Sequence, residues 1–287
     1  MNIKIATAQY DISFLADWRD YEAKINRWVD VAVGKGAQIL LFPEYASMEL
    51  ASLFGKEVYS SLGEQLAAMQ TVHDGYIELF KGLAKQCQCY IQSGSFPVKV
   101  ESGAYQNRAY LFYPDGKIEF QDKLVMTRFE NEQWFIQGGK ELKCFDTEYG
   151  KVAINICYDS EFPLIARKQV EMGANLILVP SCTDTLAGYH RVKIGCQARA
   201  LENQCYVAQA CLVGNAEWSE AVDVNIGAAA IYTPVDRGFP DDGILAIGKL
   251  NTVQWVLGEI DLDACAVVRE QGQVFNYRDW PLQKTLI

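Results

Sequence analysis

The chain has 287 residues, half of them apolar and 22% charged, with a net charge of −10, nine cysteines and two histidines. That length suits one large domain or two small ones, and a chain of this size buries about three quarters of the surface its unfolded form exposes, so it needs neither a disulfide nor a metal staple. The acidic balance argues against nucleic acid or an anionic membrane as the main partner, and no window approaches the roughly 20 apolar residues of a membrane span.

The N-terminus enters an alternating apolar pattern at once, with no basic stretch leading into an apolar run, so no secretory signal is expected. Residues 3–9 read as a strand, and Leu15, Trp18, Ile25, Trp28 and Val29 recur at helical spacing after it. Residues 38–42 form a short apolar run stopped by Pro43, as in a buried strand. Ile77, Phe80, Leu83 and Ala84 mark a second helix. Strands follow at 90–95, 109–113 and 117–121, the last two joined by the turn Pro114-Asp115-Gly116. Residues 151–157 are a strand that Cys157 ends, 162–172 a helix, and 175–179 a strand stopped by Pro180.

The second half echoes the first. Gly36-Ala37-Gln38-Ile39-Leu40-Leu41-Phe42-Pro43 matches Gly173-Ala174-Asn175-Leu176-Ile177-Leu178-Val179-Pro180, and a weaker echo sets residues 5–11 beside 153–159. Two similar strand–helix–strand units predict a pseudo-symmetric α/β domain with helices covering its sheets. No Gly-, Ser- or Pro-rich linker divides it, so residues 1–287 are read as a single domain. The cysteines are scattered and many lie in apolar runs, as buried thiols do in a reducing compartment, which predicts a cytoplasmic protein. With two histidines and no CxxC pair, no metal site is expected, and no cofactor either.

Ligands of α/β sheets collect at the carboxyl ends of strands. Glu44 follows the 38–42 strand directly and Cys157 ends its own, so both point to one crevice. Singly, each has a bland reading: Glu44 as a cap, Cys157 as a small buried hydrophobe, Lys123 as a solvated lysine. In combination the chain resembles the carbon–nitrogen hydrolase (nitrilase) superfamily, in its amidase-like branch. The resemblance is carried by Leu41-Phe42-Pro43-Glu44, by Asp122-Lys123, and by Ile156-Cys157-Tyr158-Asp159 with Glu161-Phe162-Pro163 behind it. It continues through Arg167, Gly173-Ala174 and Arg199-Ala200-Leu201-Glu202-Asn203, in the family's order and over nearly the whole chain.

The resemblance implies a four-layer α–β–β–α sandwich and a Glu44, Lys123, Cys157 triad. Cys157 is the implied nucleophile, Glu44 the general base, and Lys123 with the Tyr158 backbone N–H the oxyanion donors. The expected reaction is hydrolysis of a C–N bond in a small amide or carbamoyl substrate through a thioester. A second glutamate after the lysine is implied too. Glu130 is favoured because Trp134 follows it by a turn, with Glu132 left open. Tyr158-Asp159 after the cysteine fits amidases and carbamoylases better than nitrile hydrolysis. The strand end Ser181-Cys182-Thr183-Asp184 and the segment Tyr189-His190-Arg191 are expected to line the substrate pocket, with His190 or Arg191 available for a substrate carboxylate. Pairing into a homodimer or higher homo-oligomer is implied as well. Two alternatives stand: a papain-like Cys–His hydrolase, for which neither His73 nor His190 has a suitable frame, and a catalytically silent binding module on the same fold.

Overall fold

A computed structural model describes residues 2–285. Thirteen strands run in chain order: β1 (Asn2–Asp11), β2 (Ile39–Phe42), β3 (Tyr90–Lys99), β4 (Tyr105–Phe112), β5 (Ile118–Asp122), β6 (Cys144–Thr147), β7 (Gly150–Ile154), β8 (Ala174–Ser181), β9 (Tyr206–Asn215), β10 (Val224–Asn225), β11 (Ala230–Tyr232), β12 (Ile244–Ile247) and β13 (Gln254–Asp261). The helices are α1 (Trp18–Gly34), α2 (Lys56–Tyr59), α3 (Leu62–Met69), α4 (His73–Cys87), α5 (Arg128–Glu132), α6 (Pro163–Glu171), α7 (Leu186–Asn203), α8 (Leu262–Gln271) and α9 (Asn276–Asp279).

Twelve of these strands, all but β10, which pairs with the end of β9, form two six-stranded sheets, β13-β1-β2-β3-β4-β5 and β6-β7-β8-β9-β11-β12, joined where the end of β1 runs parallel to β9 at Gln9–Asp11. Each has three parallel strands flanked by antiparallel ones, so β1, β2 and β3 correspond to β7, β8 and β9. The sequence echo therefore has its structural counterpart in the sheets.

Alternation along the strands builds the four layers. On β1 and β2, Ile3, Ile5, Ile39 and Leu41 face inward and share a core with Ile154, Leu176 and Leu178 of the other sheet. Ala6, Ala8, Tyr10, Leu40 and Phe42 face out against Ile25 and Val29 of α1 and Phe80 of α4. Ala166 and Val170 of α6 and Val192 and Cys196 of α7 cover the second sheet. No helix among the described residues is long and apolar enough to cross a membrane.

Three expectations are corrected. Leu15 precedes α1 rather than joining it, because Asp17 caps the helix with its carboxylate on the Arg19 and Asp20 N–H groups. Pro180 does not stop its strand: β8 runs to Ser181, and β7 has ended at Ile154, so the missing proline donor falls where that side has no ladder left. Cys157 does not end β7. The strand stops three residues earlier, and Cys157 opens a single 3-10 turn, Cys157–Glu161, with φ of 48°.

Candidate active site

The corner after β2 is built around backbone positions that only particular residues tolerate. Tyr45 takes the left-handed conformation (φ 57°) and its N–H donates to Ser95 Oγ at 2.9 Å. Beside it, β3 bulges at Gly94 (φ 81°), where a Cβ would stand 2.2 Å from the Pro43 carbonyl oxygen. Only glycine lets β3 press this closely on the corner, and the corner turns Glu44 inward, 1% exposed.

Lys123 follows β5, its N–H bonded to the Asn107 carbonyl at 2.8 Å and its carbonyl receiving Gly139 N–H at 2.7 Å. Its ammonium lies 2.8 Å from Glu44 Oε1 and 2.6 Å from Glu130 Oε2, with all three groups buried. Glu130 is also the third residue of a capping box: Thr127 N–H and Oγ1 donate to its Oε2 at 2.9 and 2.8 Å. Tyr45 OH donates to Oε1 at 2.7 Å. Glu132, by contrast, points outward and pairs with Arg128 at 2.7 Å. Of the two candidates, Glu130 is the one that the fold brings to Lys123. The Thr127-x-x-Glu130 spacing, a capping-box signature legible in the sequence, is the signal that separates it from Glu132.

Cys157 sits opposite, 4% exposed, its Sγ 3.6 Å from the Cys182 carbonyl oxygen. A non-glycine residue held in the left-handed region stores roughly 1–2 kcal/mol of strain, which the surrounding contacts must hold in place. Asp159 supplies much of that hold. Its carboxylate accepts from Ile156 N–H on the cysteine turn at 3.3 Å, and from Leu124 and Val125 N–H after the lysine at 3.2 and 2.8 Å. One side chain therefore ties the turn carrying the thiol to the segment carrying the ammonium.

The charges settle unequally. Burial pushes the Glu44 carboxyl up, against the pull of the Lys123 ammonium. Burial acts on Glu130 in the same sense, but Lys123, Tyr45 and Thr127 outweigh it and hold that carboxyl below its ordinary value. Burial opposes the charge on Lys123, yet Glu130 and Glu44 together raise it and keep it protonated. Burial, and then the negative charge of Glu44, push the Cys157 thiol well up. Asp159 is raised to about 7, with burial as its main cause. The resting arrangement is a neutral thiol beside a carboxylate of raised basicity, next to a fixed ammonium.

Glu44, Lys123, Glu130 and Cys157 form the floor of a cavity of about 350 Å³. Its walls include Tyr45, Phe129, Trp134, Cys182 and Val222, and Arg128, Asp184 and Arg191 stand at its rim. Tyr158 lines it as expected, edge-on to Phe162 at 4.9 Å between centroids. Cys182 does so twice over, because its N–H also donates to Glu44 Oε2 at 3.1 Å. Ser181 and His190 do not line it. The Ser181 hydroxyl is turned into the sheet, donating to the Ala210 carbonyl at 2.6 Å, because residues on a strand alternate and Cys182 takes the cavity side. His190 is exposed on α7, and the cavity-facing member of that segment is its neighbour Arg191, paired with Glu161 at 3.5 Å. Among the described residues no group of three or more His, Cys, Asp or Glu side chains is arranged to hold a metal.

Fold and site together define an α–β–β–α protein that brings a thiol, a basic carboxylate and an ion-paired lysine to the join of two sheets. Residues 4–269 match the family model of the carbon-nitrogen hydrolases, and the chain belongs to that family. It is 37% identical to the probable hydrolase YhcX of Bacillus subtilis, over 96% of this chain and 53% of that protein, so it spans about half of that relative's length. It is 29% identical to the omega-amidase NIT2-B of Xenopus laevis, over 89% of this chain and 88% of that one. Among solved structures, Saccharomyces cerevisiae Nit3, a nitrilase-superfamily member, shares the fold at a TM-score of 0.75 and 19% identity, over 94% and 93% of the two chains.

Proposed function

We propose that the protein hydrolyses the C–N bond of small linear amides, ω-amides and carbamoyl compounds included, through a thioester on Cys157. The observation that carries this reading is the convergence of Glu44, Lys123 and Cys157 on one buried floor. Glu44 takes the Cys157 proton as Sγ attacks the carbonyl carbon. The resulting oxyanion is held by the Lys123 ammonium and by the N–H of Tyr158, second residue of a helical turn whose first N–H groups have no intrahelical acceptor. Donors of this kind are worth about 3 kcal/mol each. Glu44 then protonates the leaving nitrogen, the C–N bond breaks, and ammonia or amine departs. Water gives a proton to Glu44 and attacks the thioester, the acid leaves, and the proton returns to Sγ. The omega-amidase relative supports the substrate class.

The test is ammonia release across a panel of small amides, ω-amides of dicarboxylic acids, carbamoyl amines and nitriles. Hydrolysis of amides, with nitriles inert, is the expected outcome. Binding without hydrolysis of any amide would favour a silent binding module instead.

We also propose a cytoplasmic setting and self-association. All nine cysteines are free, which supports a reducing compartment. The exposed Leu164 of α6 and Ile194 of α7 offer apolar surface for a second copy. Sedimentation at the single-chain mass of 32.2 kDa at micromolar concentration would count against pairing.

A further inference from the structure

Asn107 lies on β4, fully buried and outside the cavity wall, yet it touches every charged member of the floor. Its side-chain Nδ2 donates to Glu44 Oε1 at 2.9 Å and, more weakly, to Glu130 Oε1 at 3.4 Å. Its carbonyl accepts the Lys123 N–H at 2.8 Å. Its own Oδ1 is buried with no partner, an arrangement that disfavours the folded state. That loss points to a requirement for the two N–H donors on the other side of the amide.

We propose that Asn107 is a positioning residue of the hydrolase site: its amide bridges the Glu44 and Glu130 carboxylates and aims them at Lys123, while its carbonyl seats the lysine backbone. This rests on the hydrolase reading above. The chemistry is specific to an amide donor. Two like carboxylates around one ammonium need a neutral group between them, since a third anion would repel both and a cation would compete with Lys123. The two glutamates also depend on it unequally. Glu130 has donors from Lys123, Thr127 and Tyr45 besides. Glu44 has Lys123, the Cys182 N–H and Asn107, with the Cys157 thiol facing it. Removing the amide therefore falls mainly on the base.

The experiment compares the pH profile of kcat/KM for wild type, Asn107→Ala and Asn107→Asp on an amide the wild type hydrolyses. A lost donor favours protonated Glu44, so its carboxyl moves further up and the acidic limb moves to higher pH, by about one unit or more for a hydrogen bond to a charged group. At pH 7 kcat should fall about 10- to 100-fold, with KM changed much less. Asn107→Asp keeps the shape and replaces the donors by a carboxyl, so it should shift the limb in the same direction even if the alanine variant folds poorly. A folded variant whose limb stays in place, with activity reduced only in step with the folded fraction, overturns the proposal and leaves Asn107 a packing residue. A wild type inert towards every amide, or a Cys157→Ala variant that still turns over, instead overturns the hydrolase reading on which the proposal stands.

Discussion

Two clefts in this molecule contain a buried lysine paired with a buried glutamate. The larger, about 750 Å³, lies where β1 ends and α1 begins, lined by Asp11, Lys24, Trp28 and Trp255 among others. There Lys24 Nζ meets Glu49 Oε2 at 2.7 Å and Ser13 Oγ at 2.8 Å, and also bonds to the Asp11 carbonyl. Tyr10 donates to the other oxygen of Glu49. Every proton of that ammonium has a protein acceptor, and no thiol lines the groove. The smaller cleft places its lysine between two carboxylates and sets a strained cysteine turn opposite. Cleft size and a buried ion pair do not make the site. Nor does a raised carboxyl, since burial pushes Glu49 up as it does Glu44; the Cys157 thiol facing Glu44 is what sets the smaller cleft apart.

The largest expected effect breaks the comparison at the nucleophile. Cys157→Ala should lower kcat by about four orders of magnitude or more while the melting temperature stays near that of the wild type, since enzymes that lose a nucleophile lose nearly all covalent catalysis. Residual turnover near the wild-type level would remove Cys157 from the mechanism.

Next come the two lysines. Lys123→Met and Lys24→Met each strand buried carboxylates, and each should destabilise the fold by about 3–5 kcal/mol in denaturant titrations. Only Lys123→Met should also lower kcat per folded molecule, by about 100-fold or more, because an oxyanion donor acts on the transition state. Equal kinetic losses from both would erase the distinction between the clefts.

A pH effect concerns the carboxyl that ties the cysteine turn to the lysine segment. Asp159 has an ordinary value of 3.8 and is raised to about 7 in the fold. A carboxyl raised on folding favours the native state below its unfolded value, and that contribution is lost as pH rises through the folded one. The stability difference between wild type and Asp159→Asn should therefore shift against the wild type between about pH 4 and pH 7. Chemical denaturation of both proteins at pH 4, 5.5 and 7 reads it, and a constant difference would mean Asp159 ionises normally. The smallest effect belongs to the rim: Arg128, 85% exposed beside Glu132, should change stability by no more than about 0.5 kcal/mol on substitution by alanine.

How much of this could be read in the sequence follows from where the determinants lie. The repeat and the strand–helix alternation are local periodicities, so the paired sheets were legible. Glu44, Lys123 and Cys157 were legible as a family pattern, each in its own frame. Asn107 was not, because its role exists only where β4 passes behind two segments distant in sequence. Ser181 and His190 fall outside the cavity for a related reason: the segments that line it are legible, but which member faces inward depends on a one-residue phase that apolar neighbours do not fix. The turn at Cys157 is not legible in the sequence, because a left-handed cysteine leaves no mark in composition.

The most direct test is the mass of the enzyme quenched in acid during turnover of a small ω-amide. A thioester mechanism predicts an adduct equal to the substrate's acyl group, mapped to the peptide containing Cys157 and absent from Cys157→Ala. Turnover at full rate with Cys157 unmodified and the alanine variant still active, or an adduct confined to Cys182, would contradict it.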